Sequence, residues 1–135
     1  MNGLNLNNYK LNYEIIIGMI PTCDPSQAFL CKDGKKLTSI LELYDWINKD
    51  ANPQIFMYHL EHFPTWLSKI MGEHELAKAI IRDTRNTLIM FLPHPEHIRV
   101  MELRKKLANI IYENLNEKIN KWQPLEDDLD SDSTI

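Results

Sequence analysis

Cysteine is scarce in this chain: two residues in 135, Cys23 and Cys31, too few for a disulfide-built scaffold. They form no CxxC pair, so a redox centre or zinc knuckle has no support. Eight positions apart, they could be bridged, but small buried free thiols are the ordinary state in a reducing compartment. Glycine is equally thin. The four glycines, at positions 3, 18, 34 and 72, are too widely separated to build a phosphate-cradling loop. The chain has no run of about 18 apolar residues, so nothing in it is expected to span a membrane. The start, Met1-Asn2-Gly3-Leu4-Asn5-Leu6-Asn7-Asn8, has no basic stretch ahead of an apolar one and does not read as a signal peptide. A cytoplasmic location without a membrane partner is the default expectation. The Glu-x-x-His pattern of di-metal bundles does not occur.

What is present is ordinary globular material, 25% charged and 44% apolar, enough for one domain with one core. The formal charge of −4 is unevenly spread. Glu126 to Asp132 holds five acids and no base, and taking those five away leaves residues 1–125 at +1. The body is near neutral and the acidity belongs to the tail.

Along the chain, residues 1–12 are asparagine-rich and read as an N-terminal arm. Residues 13–92 read as a globular domain of hairpin and helices. Its first part, Tyr13-Glu14-Ile15-Ile16-Ile17-Gly18-Met19-Ile20, is a strand or an apolar anchor. Phe29-Leu30-Cys31-Lys32 and Lys35-Lys36-Leu37 flank Asp33-Gly34, the signature of a hairpin whose turn needs the positive φ glycine permits. Ser39 and Glu42 make a capping box, with Thr38 as an alternative cap. In the helix that follows, Ile40, Leu43, Tyr44 and Ile47 share a face, while Leu41 and Trp46 lie off it.

Asn52-Pro53 starts a second helix. A third is expected over Thr65–Met71, stopped by Gly72, and a fourth over Glu73–Arg82 with Leu76, Ala77, Ile80 and Ile81 inward. Residues 87–92 fit either a continuation of that helix or a strand. From Pro95 to Trp122 a single amphipathic helix is expected, roughly 27 residues and about 40 Å long. Its stripe is Val100, Leu103, Leu107, Ile110 and Ile111, Leu115, Ile119 and Trp122. Residues 123–135 form the acidic tail, expected to be disordered. The fold class is therefore mostly α, with a small β-hairpin, short packed helices and a long C-terminal helix.

Between about residues 29 and 80 an ordered set of motifs recurs: Asp33-Gly34, Leu37, Ser39-Ile40, Glu42-Leu43, Phe56, Tyr58-His59, Phe63, Trp66-Leu67, Gly72 and Leu76-Ala77. This set resembles a small domain family of unknown function found mainly in archaeal and related prokaryotic proteins. The resemblance implies a fold and no activity. Two departures stand out: the family's Asn-Asp pair ahead of the aromatic is absent, with His62 in its place, and its acid after glycine is Glu73.

Three sets of residues carry functional expectations. His59-Leu60-Glu61-His62 and His94-Pro95-Glu96-His97 are two copies of His-x-Glu-His, and residues three apart on a helix could offer paired imidazoles to a metal. Proline flanks both copies, and His59 sits among core aromatics, where histidine ordinarily satisfies a buried hydrogen bond. Arg99, Arg104, Lys105 and Lys106 could face nucleic acid, yet with Lys118 and Lys121 they meet Glu96, Glu102, Glu113 and Glu117, leaving only +2 along the helix. Glu102–Lys106 and Glu117–Lys121 have ion-pair spacing instead. Trp46 and Trp122, at element margins, are candidate interface anchors. Ser39, Ser68 and Cys31 have no histidine at an informative sequence spacing. The leading expectation is a non-enzymatic interaction or adaptor module without cofactor. It would self-associate into a homo-oligomer, or pair with another protein's helix, through Trp46 and the long helix's stripe. The alternatives are a nucleic-acid-associated regulator and, third, a histidine metal-binding protein.

Overall fold

The computed structural model describes residues 20–121. The N-terminal arm, the apolar run up to Met19, Trp122 and the acidic tail lie outside the described residues. Ile20 is described and is buried. A single 3-10 turn, Pro25–Gln27, is capped by the Asp24 carboxylate, which accepts from the Ser26 N–H at 2.8 Å. Strands β1 (Phe29–Leu30) and β2 (Lys36–Leu37) then pair antiparallel, Phe29 opposite Leu37 and Leu30 opposite Lys36. Gly34 takes φ +95°, as an Asp-Gly hairpin requires. The strands alternate cleanly: Phe29 and Leu37 go in, Leu30 and Lys36 out.

The capping box forms with a shift. Ser39 Oγ accepts from the Glu42 N–H at 3.1 Å, but Glu42 returns its carboxylate to Thr38, accepting from both the backbone N–H and the hydroxyl. Helix α1 (Ile40–Asp45) follows and runs straight into a π-helical turn, Trp46–Asp50. Asn52 caps α2 (Pro53–His59), its side chain accepting from the N–H groups of Gln54 and Ile55. Helix α3 (Phe63–Lys69) starts two residues earlier than its sequence pattern suggests, and Gly72 at φ +70° redirects the chain after it.

Helix α4 (His74–Met90) absorbs the ambiguous residues 87–90 as helix. The reason is a face: Leu76, Ala77, Ile80 and Thr87 are buried at helical spacing and Leu88 packs beside them. Ile81, expected inward, is 44% exposed. Helix α5 (Glu96–Asn120) is the long C-terminal helix. It lies against α4 along one side and against α1 and the π turn along the other. The Lys118–Glu73 ion pair at 2.8 Å joins α5 to the start of α4, and the Tyr44 and Tyr112 rings meet at 6.0 Å.

One core runs through these elements. Its aromatic centre is Phe63, whose ring contacts Phe29 at 5.2 Å, Trp46 at 5.9 Å and Phe56 at 6.4 Å. Its aliphatic half is α5's own stripe. Val100, Leu103, Leu107, Ile111 and Leu115 are buried in this same core, and Ile119 is partly buried against it. This corrects the reading of that stripe as a free docking face: the chain covers it itself. At 17 residues α4 is about 26 Å long. That gives α5 a partner far longer than a helix ending at Arg82 would have been.

Trp46 is corrected in the same way, being 1% exposed. Helix α1 is covered on a second side at Trp46, where the rings of His59 and Phe63 lie 5.9 Å from the indole. The indole N–H of Trp46 donates to Asp33 Oδ2 at 2.8 Å.

Candidate functional site

The four histidines of the two His-x-Glu-His copies separate into two unrelated places. His59 is buried on α2, and its Nε2 accepts the backbone N–H of Lys32 at 2.9 Å, tying the hairpin to α2. That bond places the ring proton on Nδ1, 3.4 Å from His62 Nδ1. A ring committed on both nitrogens is a structural tie and not a metal ligand. His94 and His97 are exposed around the start of α5. Among the described residues no three His, Cys, Asp or Glu side chains converge on a point. Both cysteines are free, and burial pushes the Cys31 thiol up to about 12, so it is inert as a nucleophile.

Burial and the neighbouring His62 and Lys32 depress the pKa of His59, against a smaller opposing pull from Asp33. The Asp33 carboxyl sits below the usual range; its slight burial is outweighed by the hydrogen bonds from Trp46 and the Lys35 N–H. The unfolded chain therefore takes up a proton on this histidine more readily than the folded one, near the ordinary value of about 6.5. The stability tied to neutral His59 is present in full above that pH and is lost as pH falls from there towards the depressed folded value. Urea midpoints measured at pH 7.5 and 5.5 are expected to drop more for the wild-type chain than for His59→Gln, whose amide oxygen can still accept from Lys32. An equal drop in both would remove His59 as the source.

The basic residues of α5 are mostly occupied. Arg104 donates from Nε and Nη2 to the carbonyl of Ile47, at 3.2 and 2.9 Å, satisfying a carbonyl in the π turn. Its guanidinium also lies 5.8 Å from the Phe56 ring. Arg99 donates to the His94 carbonyl, and Lys105 pairs with Glu102 at 3.4 Å. The i, i+3 partner thus replaces the Glu102–Lys106 pair its spacing suggested, and Lys106 is exposed. These cations do not present a continuous stripe of unengaged charge.

The structure adds a contact that sequence spacing hid: Ser68 Oγ lies 2.7 Å from His74 Nδ1 at the exposed α3–α4 junction. It also builds a trough. A groove of about 700 Å3 opens between the π turn, α2 and the first half of α5, with Met57, Val100 and Met101 in its floor and His97, Arg104 and Lys105 on its α5 side. A second groove of about 480 Å3 lies between α2, α3 and α4, lined by Met57, Leu60, Ile81 and Leu88 among others. Met57 lines both, so the two grooves are neighbours on either side of that residue. The buried Thr84 hydroxyl in the second groove has no hydrogen-bond partner.

Large apolar side chains left to solvent concentrate at this end of the molecule: Ile81, Ile89, Met90 and Leu92 around the last turns and exit of α4, and Met101 on α5. Nothing in the local sequence separates Met57, Met90 and Met101 from core methionines, yet Met90 and Met101 are exposed and Met57 is half-buried. No family model, curated protein or solved structure matches the chain. The resemblance of residues 29–80 to a small prokaryotic domain family therefore stands on its motif pattern alone.

Proposed function

We propose that this protein is a non-enzymatic interaction module whose working surface is the trough centred on Met57. Its partner is a short amphipathic segment that carries apolar residues on one face and acids beside them. The observation that carries this reading is the pair of grooves that share Met57, bordered by the exposed side chains of Ile81 and Met101. An apolar concavity of this kind, left open to water, is the usual mark of a docking site. Methionines suit it because their unbranched, polarisable side chains repack around a helix face. The lining carries Arg85, Arg104 and Lys105 against Glu61 and Glu96, a slight positive balance that favours an acidic flank on the partner.

This differs from association through α5's stripe, which is already spent on the core. The test is selection of displayed helical peptides on the full-length protein. Enriched sequences are expected to repeat apolar residues at i, i+3 or i+4 and i+7 with acids between. Met57→Glu and Met101→Glu are each expected to weaken their binding about tenfold or more, the scale of losing one good apolar anchor. Met101 is 46% exposed, so its replacement leaves the fold intact. Enriched peptides that bind both variants as well as wild type would overturn the trough as the site.

A further inference from the structure

We infer that the turn joining α4 to α5 is a wedge that enters the surface of a lipid bilayer. This departs from the default expectation of no membrane partner, and it does not depend on the grooves: Ile89, Met90 and Leu92 line neither of them. They are 67%, 68% and 70% exposed, the most exposed large apolar side chains among the described residues. Ile89 and Met90 leave the last turn of α4 about 100° apart, and Leu92 follows in the turn beyond half-buried Phe91. The tip is therefore apolar on more than one side, which suits a soft medium that closes around it better than a single docked face. Residues 86–95 include no acid, lysine or arginine. Those ten residues are about half of what a spanning helix needs, so the contact is with a surface.

The backbone of the turn favours lipid over water in a way an ordinary surface loop does not. Phe91 N–H donates to the Thr87 carbonyl at 2.9 Å, Leu92 N–H to Ile89 at 3.3 Å and His94 N–H to Phe91 at 2.9 Å. The other two residues, Pro93 and Pro95, have no N–H to satisfy. Every amide donor from 91 to 95 is thus used or missing, and unpaired donors are what a low-dielectric interface penalises. Arg99 closes the turn from the first part of α5 by donating to the His94 carbonyl. Arg85 lies four residues before Ile89, about 6 Å back along α4. That matches the depth of about 5–10 Å to which interfacial segments sink, and it puts a guanidinium level with the lipid phosphates. Glu96 offsets one of these two arginines, and the Arg82–Asp83 pair behind them cancels. Apolar insertion is therefore the main source of affinity, with a small preference for anionic lipid.

The experiment is flotation of the full-length protein with vesicles of phosphatidylcholine containing a minor share of phosphatidylglycerol. Wild type is expected to float with the vesicles, and Ile89→Gln and Leu92→Gln are each expected to lower the partitioning about tenfold, the loss of one inserted apolar side chain. Both positions are exposed, so the urea midpoints of the variants should match wild type. Leu92→Trp supplies a direct reading of depth: its added fluorescence is expected to be quenched by lipid brominated on the acyl chain. Wild type that stays unbound at every lipid concentration would overturn the wedge, as would glutamine variants that float like wild type. A folded dimer that Leu92→Gln returns to monomer would also overturn it, by assigning the tip to a second copy. Met57→Glu is expected to leave vesicle binding unchanged, so failure of the groove reading and failure of the wedge are separate results.

Discussion

Replacing Phe63 with alanine is expected to lower unfolding stability by about 3–5 kcal/mol, the cost of emptying a fully buried aromatic site. Phe63 is 0% exposed and its ring touches the hairpin, the π turn and α2 together, through Phe29, Trp46 and Phe56. Collapse around the void would have to move three elements at once. Two of them are pinned: Lys32 N–H to His59 on α2, and Trp46 Nε1–H to Asp33 at the hairpin turn. Little relaxation is therefore available, which places the expected cost at the upper end. A domain of this size has a total stability of about 5–15 kcal/mol, so the variant should be marginal at room temperature. Urea unfolding checks it, with Ile89→Ala as the control. Ile89 is 67% exposed, and its loss should stay within about 0.5 kcal/mol. A Phe63→Ala cost near that of the control would mean the aromatic centre is not what holds the hairpin to the helices.

The parts of this fold that sequence exposed are those set by local chemistry. Asp33-Gly34 specifies its turn, Ser39 and Asn52 specify helix starts, and each does so within four residues. The parts it hid are set by who packs against whom. Trp46, off the stripe on an ideal helical wheel, is nonetheless buried, because Asp33 of the hairpin turn and the rings of His59 and Phe63 cover that side of the helix. Within residues 83–86, Asp83, Thr84 and Asn86 are poor helix formers, and the burial of Thr87 and Leu88 carries α4 through them. Once α4 is long, α5's stripe is no longer surplus. The candidate site was the least legible part, because a trough is an absence of covering side chains. Met57 and Met101 carry no local mark to distinguish a methionine in a groove from one in a core. For His59 the type of role was legible, a buried hydrogen bond among core aromatics, but its partner, the backbone N–H of Lys32 some 27 residues away, was not.

Leu107→Ala is expected to cost about 2–5 kcal/mol, and by the same amount at every protein concentration. Leu107 is 0% exposed midway along α5, with Leu103 and Ile111, also 0% exposed, one turn to either side. If these side chains were buried between two copies, folding would be coupled to association. The unfolding midpoint would then climb with protein concentration for wild type, and the substitution would weaken the dimer. Burial within the chain predicts a wild-type midpoint that does not move between micromolar and hundred-micromolar protein, and a parallel offset for the variant. Light scattering on the same samples supplies the second reading: Leu107→Ala should leave the mass of the folded species unchanged. A midpoint rising with concentration, together with a mass that falls on substitution, would return the stripe to an intermolecular role. It would also require α5 to leave α1 and α4, breaking the Arg104–Ile47 and Lys118–Glu73 contacts that tie it to them.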